Sequence, residues 1–262
     1  SEKNNDMLTP PSLAEKEKTS AALSSVVAAV ALTAFKIIVG LMTNSLGILA
    51  EALHSGLDLV AALVTYFAVR ISDKPADREH LYGHGKIENL SALIETFLLL
   101  ATCVWIIYES IQRLFVETVQ VDASFWAFVV MGVSIAVDYS RSQMLYKAAR
   151  KHNSQALEAD ALHFSTDIWS SSGVIAGLIG LKLAEAMPAL HFLDKADAIA
   201  ALLVAGIVIY VSMRLGIRTV HGLLDHAPQG LAEKIEEAVE AVPGIIDCHR
   251  VRVRTSGPGL FV

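Results

Sequence analysis

Long apolar stretches alternate with short polar ones over most of this chain. Six of the apolar stretches are long enough to cross a membrane, since about 20 mostly apolar residues in a helix span about 30 Å of hydrocarbon. They cover residues 21–43, 46–71, 87–111, 125–145, 157–181 and 196–220. The pattern therefore predicts an all-α polytopic membrane protein with a six-transmembrane-helix bundle.

The two ends of the chain have a different pattern from this bundle. We expect residues 1–20, which are polar and charged, to form a flexible cytosolic tail before a transmembrane domain at 21–225. Residues 226–262 predict the start of a cytosolic domain that is truncated at Val262.

Within 226–262 the apolar positions change their period along the chain. Residues 231–242 carry one apolar stripe against charged positions, which predicts a soluble amphipathic helix. Valine and arginine alternate near the end of 245–254, which predicts a half-buried strand, and the Ser-Gly-Pro-Gly run at 256–259 predicts a turn.

Basic residues are concentrated in two of the loops between the predicted helices. They are Arg70, Lys74, Arg78 and Lys86 after the second helix, and Arg141, Lys147, Arg150 and Lys151 around the end of the fourth. Loops rich in lysine and arginine stay on the cytoplasmic side of a membrane. Both termini are therefore predicted to be cytoplasmic.

Composition supports a membrane protein and narrows the chemistry. Hydrophobic residues make up 53% of the chain and charged residues 18%, against about a quarter charged in soluble proteins. The net charge of -6, with scattered basic residues, argues against a nucleic-acid partner. Cys103 and Cys248 are the only cysteines and form no CxxC pair, so metal ligands would have to be histidines and carboxylates.

The second and fifth predicted helices each carry a histidine and an aspartate four residues apart. The pairs are His54 with Asp58, and His163 with Asp167. A spacing of four puts both side chains on one face of a helix, and two nitrogens with two oxygens suit tetrahedral Zn²⁺. Each group could instead only hydrogen-bond a neighbouring helix, but the repeated motif at matched depth favours an intramembrane metal site.

A second group of possible metal ligands lies in the loop after the second helix. Asp77, His80 and His84 fall within eight residues, and Gly83 and Gly85 allow the backbone to bring them together. The alternative is a solvated charged loop. This segment predicts a second, cytoplasmic metal site.

Other charged residues receive structural interpretations. Lys86 and Asp225, at the inner ends of the third and sixth helices, are predicted to pair and to tie the membrane domain together. Asp138 is expected to pair with Arg141, and Asp160 is expected to cap or solvate the entrance to the fifth helix.

Three features of the sequence together resemble the cation diffusion facilitators. They are the paired His-x-x-x-Asp motifs, the loop from Pro75-Ala76-Asp77 to Gly83-His84-Gly85-Lys86, and the Ala-Asp-Ala-x-His core within 154–167. The resemblance implies a proton-coupled exporter of divalent metals that acts as a homodimer, with a ferredoxin-like α+β cytosolic domain after the sixth helix. It implies that His54, Asp58, His163 and Asp167 form the transport site and that Asp77, His80 and His84 form the loop site. His249 matches the position of a cytosolic-domain ligand in some members.

The same resemblance implies a bacterial inner membrane location, with Zn²⁺ as the transported substrate, a possible regulatory zinc ion, and protons as the counter-ion. His54 resembles the zinc-selective pattern, since members with aspartate there tolerate cadmium better. Fe²⁺, Co²⁺, Ni²⁺ and Cd²⁺ remain open as cargo. A non-transporting metal sensor or scaffold of the same fold also remains open. An enzyme is disfavoured, because the His-Glu-x-x-His motif of a zinc protease is absent.

Overall fold

The computed structural model describes residues 12–115, 125–186, 193–227 and 229–262. Six long helices account for most of them: α1 Leu13–Thr43, α2 Leu46–Ser72, α3 Lys86–Phe115, α4 Phe125–His152, α5 Gln155–Ala186 and α6 Leu193–Leu223. Every apolar stretch predicted as a helix lies within one of these six. The helices extend beyond the apolar stretches, because apolarity marks only the part of a helix that suits lipid.

Helix α1 begins well before its apolar stretch because of a local capping motif. The Ser12 side chain accepts a hydrogen bond from the Glu15 N–H at 3.2 Å, and the Glu15 carboxylate accepts one from the Ser12 N–H at 2.9 Å. This reciprocal pair satisfies N–H groups that a helix start otherwise leaves without partners. Residues 13–20 are therefore helical rather than part of the predicted flexible tail, and residues 1–11 lie outside the described part of the chain.

Helix α5 lies at the centre of the bundle. It packs against α2, α3, α4 and α6, whereas α1 packs along α2 and α4, and α3 packs along α6. The main buried core joins α1, α2, α4 and α5 at the end of the bundle where α2 leads into the 73–85 loop. Its members are Ala21, Ala22, Val69, Leu145, Ala149, Ala156, Leu157, Ala161 and Phe164.

The outer faces of the helices are apolar. Trp105, Leu203 and Ile207 each expose about two thirds of their surface. Four helical segments in the described residues are long and apolar enough to cross a membrane: Leu13–Thr43, Glu51–Ser72, Lys86–Gln112 and Leu202–Leu223. An apolar exterior of this extent suits lipid, not water, so this is an integral membrane protein.

The segment after α6 contains one helix and one hairpin. Helix α7 spans Leu231–Glu240, within the predicted amphipathic helix. Strands β1 Arg254–Ser256 and β2 Gly259–Phe261 pair antiparallel, with Arg254 opposite Phe261 and Ser256 opposite Gly259. Gly257 has a φ of 56°, which glycine adopts readily, so the predicted turn is confirmed.

The strand predicted over 245–254 is wrong except at Arg254. A strand needs a neighbour to complete its backbone hydrogen bonds. The only sheet in the described residues is the two-stranded hairpin, and residues 245–253 lie outside it.

Candidate metal site

Helices α2 and α5 bring together the four side chains that the sequence singled out, which we call the four-ligand cluster: His54, Asp58, His163 and Asp167. Asp58 Oδ1 lies 3.1 Å from His163 Nε2 and 3.9 Å from His54 Nε2. The Asp167 carboxylate lies 3.8 Å from His54 Nε2 and 3.6 Å from His163 Nε2. Each histidine therefore faces both carboxylates.

These distances match the size of a small tetrahedral site. Ligand atoms at about 2.0 to 2.1 Å from a zinc ion lie about 3.3 to 3.4 Å from one another. The four separations between histidine nitrogens and aspartate oxygens, from 3.1 to 3.9 Å, bracket that value. One ligand atom from each of His54, Asp58 and Asp167 also lies within 4.8 Å of the other two, as a shared ion requires.

The cluster is largely buried but is accessible at one corner. The side chains of Asp58 and Asp167 are each 12% exposed, and that of His163 is 6% exposed, whereas that of His54 is 46% exposed. His163 Nδ1 and Asp167 Oδ2 are buried without a hydrogen-bond partner. Buried groups of this kind are costly unless a cation or proton complements them.

A buried polar scaffold supports α5 beside this cluster. Arg141 on α4 donates to Asp138 at 3.2 Å and to Ser25 on α1 at 3.1 Å, and Ser25 donates to Asp160 at 3.4 Å. The Arg141 guanidinium also lies 3.5 Å above the centre of the Phe164 ring. These contacts hold α5 against α1 and α4, and the predicted pair of Asp138 and Arg141 is confirmed.

The prediction that Asp160 caps or solvates the entrance to the fifth helix is wrong. Its exposed fraction is 0%, and Ser154 serves at the helix start instead, where its hydroxyl accepts from the Leu157 N–H. Helix α5 begins at Gln155, so Asp160 lies more than one turn inside it and faces α1.

The loop after α2 forms a second cluster, the loop cluster, from Asp77, His80 and His84. The Asp77 carboxylate lies 3.2 Å from His80 Nδ1 and 3.4 Å from His84 Nε2, and the two imidazole rings are 4.3 Å apart. Gly83 has a φ of 75° and donates its N–H to the His80 carbonyl. This turn brings His84 back over Asp77.

Backbone groups prepare the Asp77 carboxylate for a cation. It accepts hydrogen bonds from the N–H of His80 at 2.6 Å and of Glu79 at 2.9 Å. Hydrogen bonds to the Asp77 carboxylate lower its pKa below the usual value. The His80 N–H has the largest effect, and the Glu79 N–H and the His80 side chain add smaller ones. Asp77 is therefore ionised and oriented before any ligand binds.

The remaining predicted site residues lie elsewhere. The Lys86 ammonium is 3.0 Å from the Asp225 carboxylate, linking the start of α3 to the end of α6. The side chain of His249 is 70% exposed and contacts Asp247 at 2.9 Å.

Sequence reasoning missed a set of buried charges on the loop side of the four-ligand cluster. Lys18 on α1 pairs with Asp73 and, at 2.9 Å, with Glu88 on α3. Glu95, two turns further along α3, is fully buried against Thr65. Ionisable residues inside apolar stretches were a signal available for Glu95, whereas the long-range partners of Lys18 could not be inferred from spacing.

A bundle with histidines and carboxylates between two of its helices belongs to the class of integral membrane proteins in which ionisable residues inside the membrane indicate a functional site. Comparison with known proteins makes this class specific. Residues 22–224 match the family described as the cation efflux transmembrane domain.

The chain is also similar to proteins of three bacteria that are named cation-efflux pump FieF. It is 34% identical to the protein of Yersinia enterocolitica, 33% identical to that of Salmonella arizonae and 32% identical to that of Cronobacter sakazakii. Each match covers 92% of this chain and 78% of the relative. The chain therefore belongs to the cation efflux family, the cation diffusion facilitators, whose members are transporters.

Proposed function

We propose that this protein exports a divalent metal cation from the cytoplasm in exchange for protons, with Zn²⁺ as its principal cargo. The observation that carries the proposal is that Nε2 of both His54 and His163 lies 3.1 to 3.9 Å from a carboxylate oxygen of each of Asp58 and Asp167, between two helices. The relatives named as cation-efflux pumps support export as the activity.

Zinc is favoured by the donor atoms. Two imidazole nitrogens and two carboxylate oxygens in a compact cluster suit tetrahedral Zn²⁺, whereas Mg²⁺ and Ca²⁺ prefer six or more oxygen ligands. Fe²⁺, Co²⁺, Ni²⁺ and Cd²⁺ accept similar donors and are the competing cargoes. The histidine at position 54 supports zinc over Cd²⁺, since it resembles the zinc-selective pattern of the family.

Proton exchange follows from the same ligands. A histidine must be neutral to bind a metal, and its unperturbed pKa is about 6.5. Acid on the outer side would protonate His54 and His163 and expel the ion, whereas near-neutral cytoplasm would allow reloading. Rocking of the helices around a fixed site would complete the cycle by alternating access.

The architecture that we propose for this cycle has six membrane-spanning helices over residues 21–225, a cytosolic N-terminal tail, and both termini in the cytoplasm. Residues 226–262 would begin a ferredoxin-like cytosolic domain. The working unit would be a homodimer in a bacterial inner membrane, tied together near the Lys86–Asp225 pair. The loop cluster and His249 would bind regulatory zinc.

Zinc flux into proteoliposomes tests the function. With acid inside the vesicles and the membrane potential clamped, we expect external Zn²⁺ to accumulate in exchange for protons, and an ionophore that collapses the pH gradient should abolish accumulation. A protein that binds Zn²⁺ but moves none under any gradient would be a sensor or scaffold, contrary to the proposal.

A further inference from the structure

Helix α3 carries two fully buried glutamates, Glu88 and Glu95, seven residues apart. Both have an exposed fraction of 0%. A carboxylate in an apolar interior is stable as an anion only if a cation and hydrogen-bond donors compensate it. The two residues therefore provide an internal comparison of how this protein compensates a buried acid.

Glu88 is fully compensated. Its Oε1 lies 2.9 Å from the Lys18 ammonium and accepts from the Ser72 hydroxyl at 3.1 Å, and its Oε2 accepts from the Ser154 hydroxyl at 2.5 Å. Both carboxylate oxygens therefore have donors, and one donor is a cation. Glu88 is thus suited to remain an anion.

Glu95 lacks such compensation. Among the described residues, its hydrogen bond comes from the neutral Thr65 hydroxyl on α2, and its Oε2 is buried without a partner. From α5 the charged groups that act on it are the acid Asp160 and the imidazole of His163. On α6, the cation Arg218 pairs instead with Glu158 of α5.

His163 is not a dedicated partner for Glu95. Its Nε2 faces Asp58 at 3.1 Å and Asp167 at 3.6 Å, so any positive charge on the ring is already shared by two carboxylates. Bound metal would also require a neutral imidazole. Glu95 is therefore an acid for which the described part of the protein supplies no cation of its own.

We propose that Glu95 carries one of the protons that this transporter exchanges for its metal ion, an inference that rests on the proposed function. Thr65 lies seven residues after Asp58, about 10 Å further along α2 toward the loop end of the bundle. Glu95 contacts Thr65, so it lies on the loop side of the four-ligand cluster.

The conformation of the helix bundle in this structure would keep a proton on the Glu95 carboxyl group. Glu95, Thr65 and Phe164 have no exposed surface, whereas the His54 side chain is 46% exposed. The loop side is therefore closed while the cluster is accessible. When α3 and α5 separate on the loop side and admit water, the proton passes from the carboxyl oxygen to a water molecule. The resulting carboxylate is then hydrated and keeps the Thr65 hydrogen bond.

The test compares Glu95→Gln with wild type in proteoliposomes. Glutamine has the shape of a neutral glutamic acid but releases no proton, so exchange of labelled for unlabelled Zn²⁺ across the membrane should persist. The zinc gradient sustained by one pH unit at clamped potential should fall about tenfold, because one fewer proton is moved per ion. Glu88→Gln is the matched control, since Asp73 still neutralises Lys18, and its sustained gradient should equal that of wild type.

Each other outcome overturns the inference. An unchanged zinc gradient in Glu95→Gln would mean that the residue carries no proton. Loss of zinc exchange in Glu95→Gln but not in Glu95→Asp would mean that the carboxylate is needed by the metal itself, and loss in both would mean a structural role. Failure of wild type to move zinc would instead refute the proposed function.

Discussion

The four-ligand cluster and the loop cluster contain the same two ligand types, imidazole and carboxylate, yet they are held in different ways. In the first, helices α2 and α5 fix the ligands, and the side chains of Asp58, His163 and Asp167 are at most 12% exposed. In the second, the side chains of Asp77 and His80 are 50% and 53% exposed on an irregular loop.

The difference bears on what each cluster is suited to do. A buried site between helices can change its shape only when those helices move, so binding there is coupled to the state of the whole bundle. A loop cluster held by local backbone hydrogen bonds can bind an ion without moving the helices. We therefore expect transport to use the four-ligand cluster, whereas a regulatory or stabilising role suits the loop cluster.

The largest expected effect is that of Asp167→Asn in the four-ligand cluster. The substitution keeps the size of the side chain but removes the anionic ligand that faces both histidines, so zinc flux should fall about a hundredfold or more. The measurement is the initial rate of zinc uptake into proteoliposomes under a pH gradient. Flux within about threefold of wild type would show that the cargo does not pass through this cluster.

The corresponding change in the loop cluster should have a smaller effect on transport. Asp77→Asn removes the carboxylate that contacts both loop histidines, so calorimetry should find about tenfold or more loss of zinc affinity at that site. Initial zinc flux should fall by less than about threefold. Glu17→Gln is the matched control, since Glu17 also contacts a histidine, His152, at 2.9 Å but belongs to neither cluster. Equal loss of flux in the Asp77→Asn and Asp167→Asn variants would contradict the claim that the two clusters have different roles in transport.

The smallest expected effect tests the turn that holds the loop cluster. Gly83 has a φ of 75°, and alanine in that conformation costs about 1 kcal/mol, so Gly83→Ala should weaken zinc binding at the loop by about fivefold. Space is not limiting, since an added Cβ would meet its nearest neighbour at 3.7 Å.

Gly230→Ala is the control for this change. Gly230 has a similar φ of 72° and an open surrounding, but it precedes α7 rather than the loop cluster. It should lower stability by a similar amount without altering zinc affinity at the loop. Equal zinc affinity in the Gly83 variant and wild type would mean that the turn does not position His84.

Local periodicity explains why much of the candidate site could be predicted from the sequence. A spacing of four in a helix puts His54 beside Asp58 whatever surrounds the helix, and the apolar stretches place the six helices. The amphipathic pattern of α7 and the Ser-Gly-Pro-Gly turn are equally local, and both lie where they were predicted.

The features that sequence reasoning missed depend on distant partners. The interior position of Asp160 follows from Ser25 on α1, and the contrast between Glu88 and Glu95 follows from where Lys18 lies. The predicted strand over 245–254 failed for the same reason, because a strand needs a neighbour that spacing cannot supply. A charged residue inside an apolar stretch can be recognised from the sequence as one that needs a partner, but the sequence does not identify that partner.

X-ray absorption spectroscopy of the zinc-loaded protein tests the central claim most directly, with the loop ligands Asp77, His80 and His84 and the surface residue His249 replaced so that the four-ligand cluster is the one proposed zinc site left. The account predicts one bound zinc ion with four nitrogen and oxygen ligands at about 2.0 to 2.1 Å, two of them imidazoles. It also predicts that this signal disappears in an added Asp58→Ala variant. A six-coordinate all-oxygen shell, or a signal unchanged by Asp58→Ala, would contradict it.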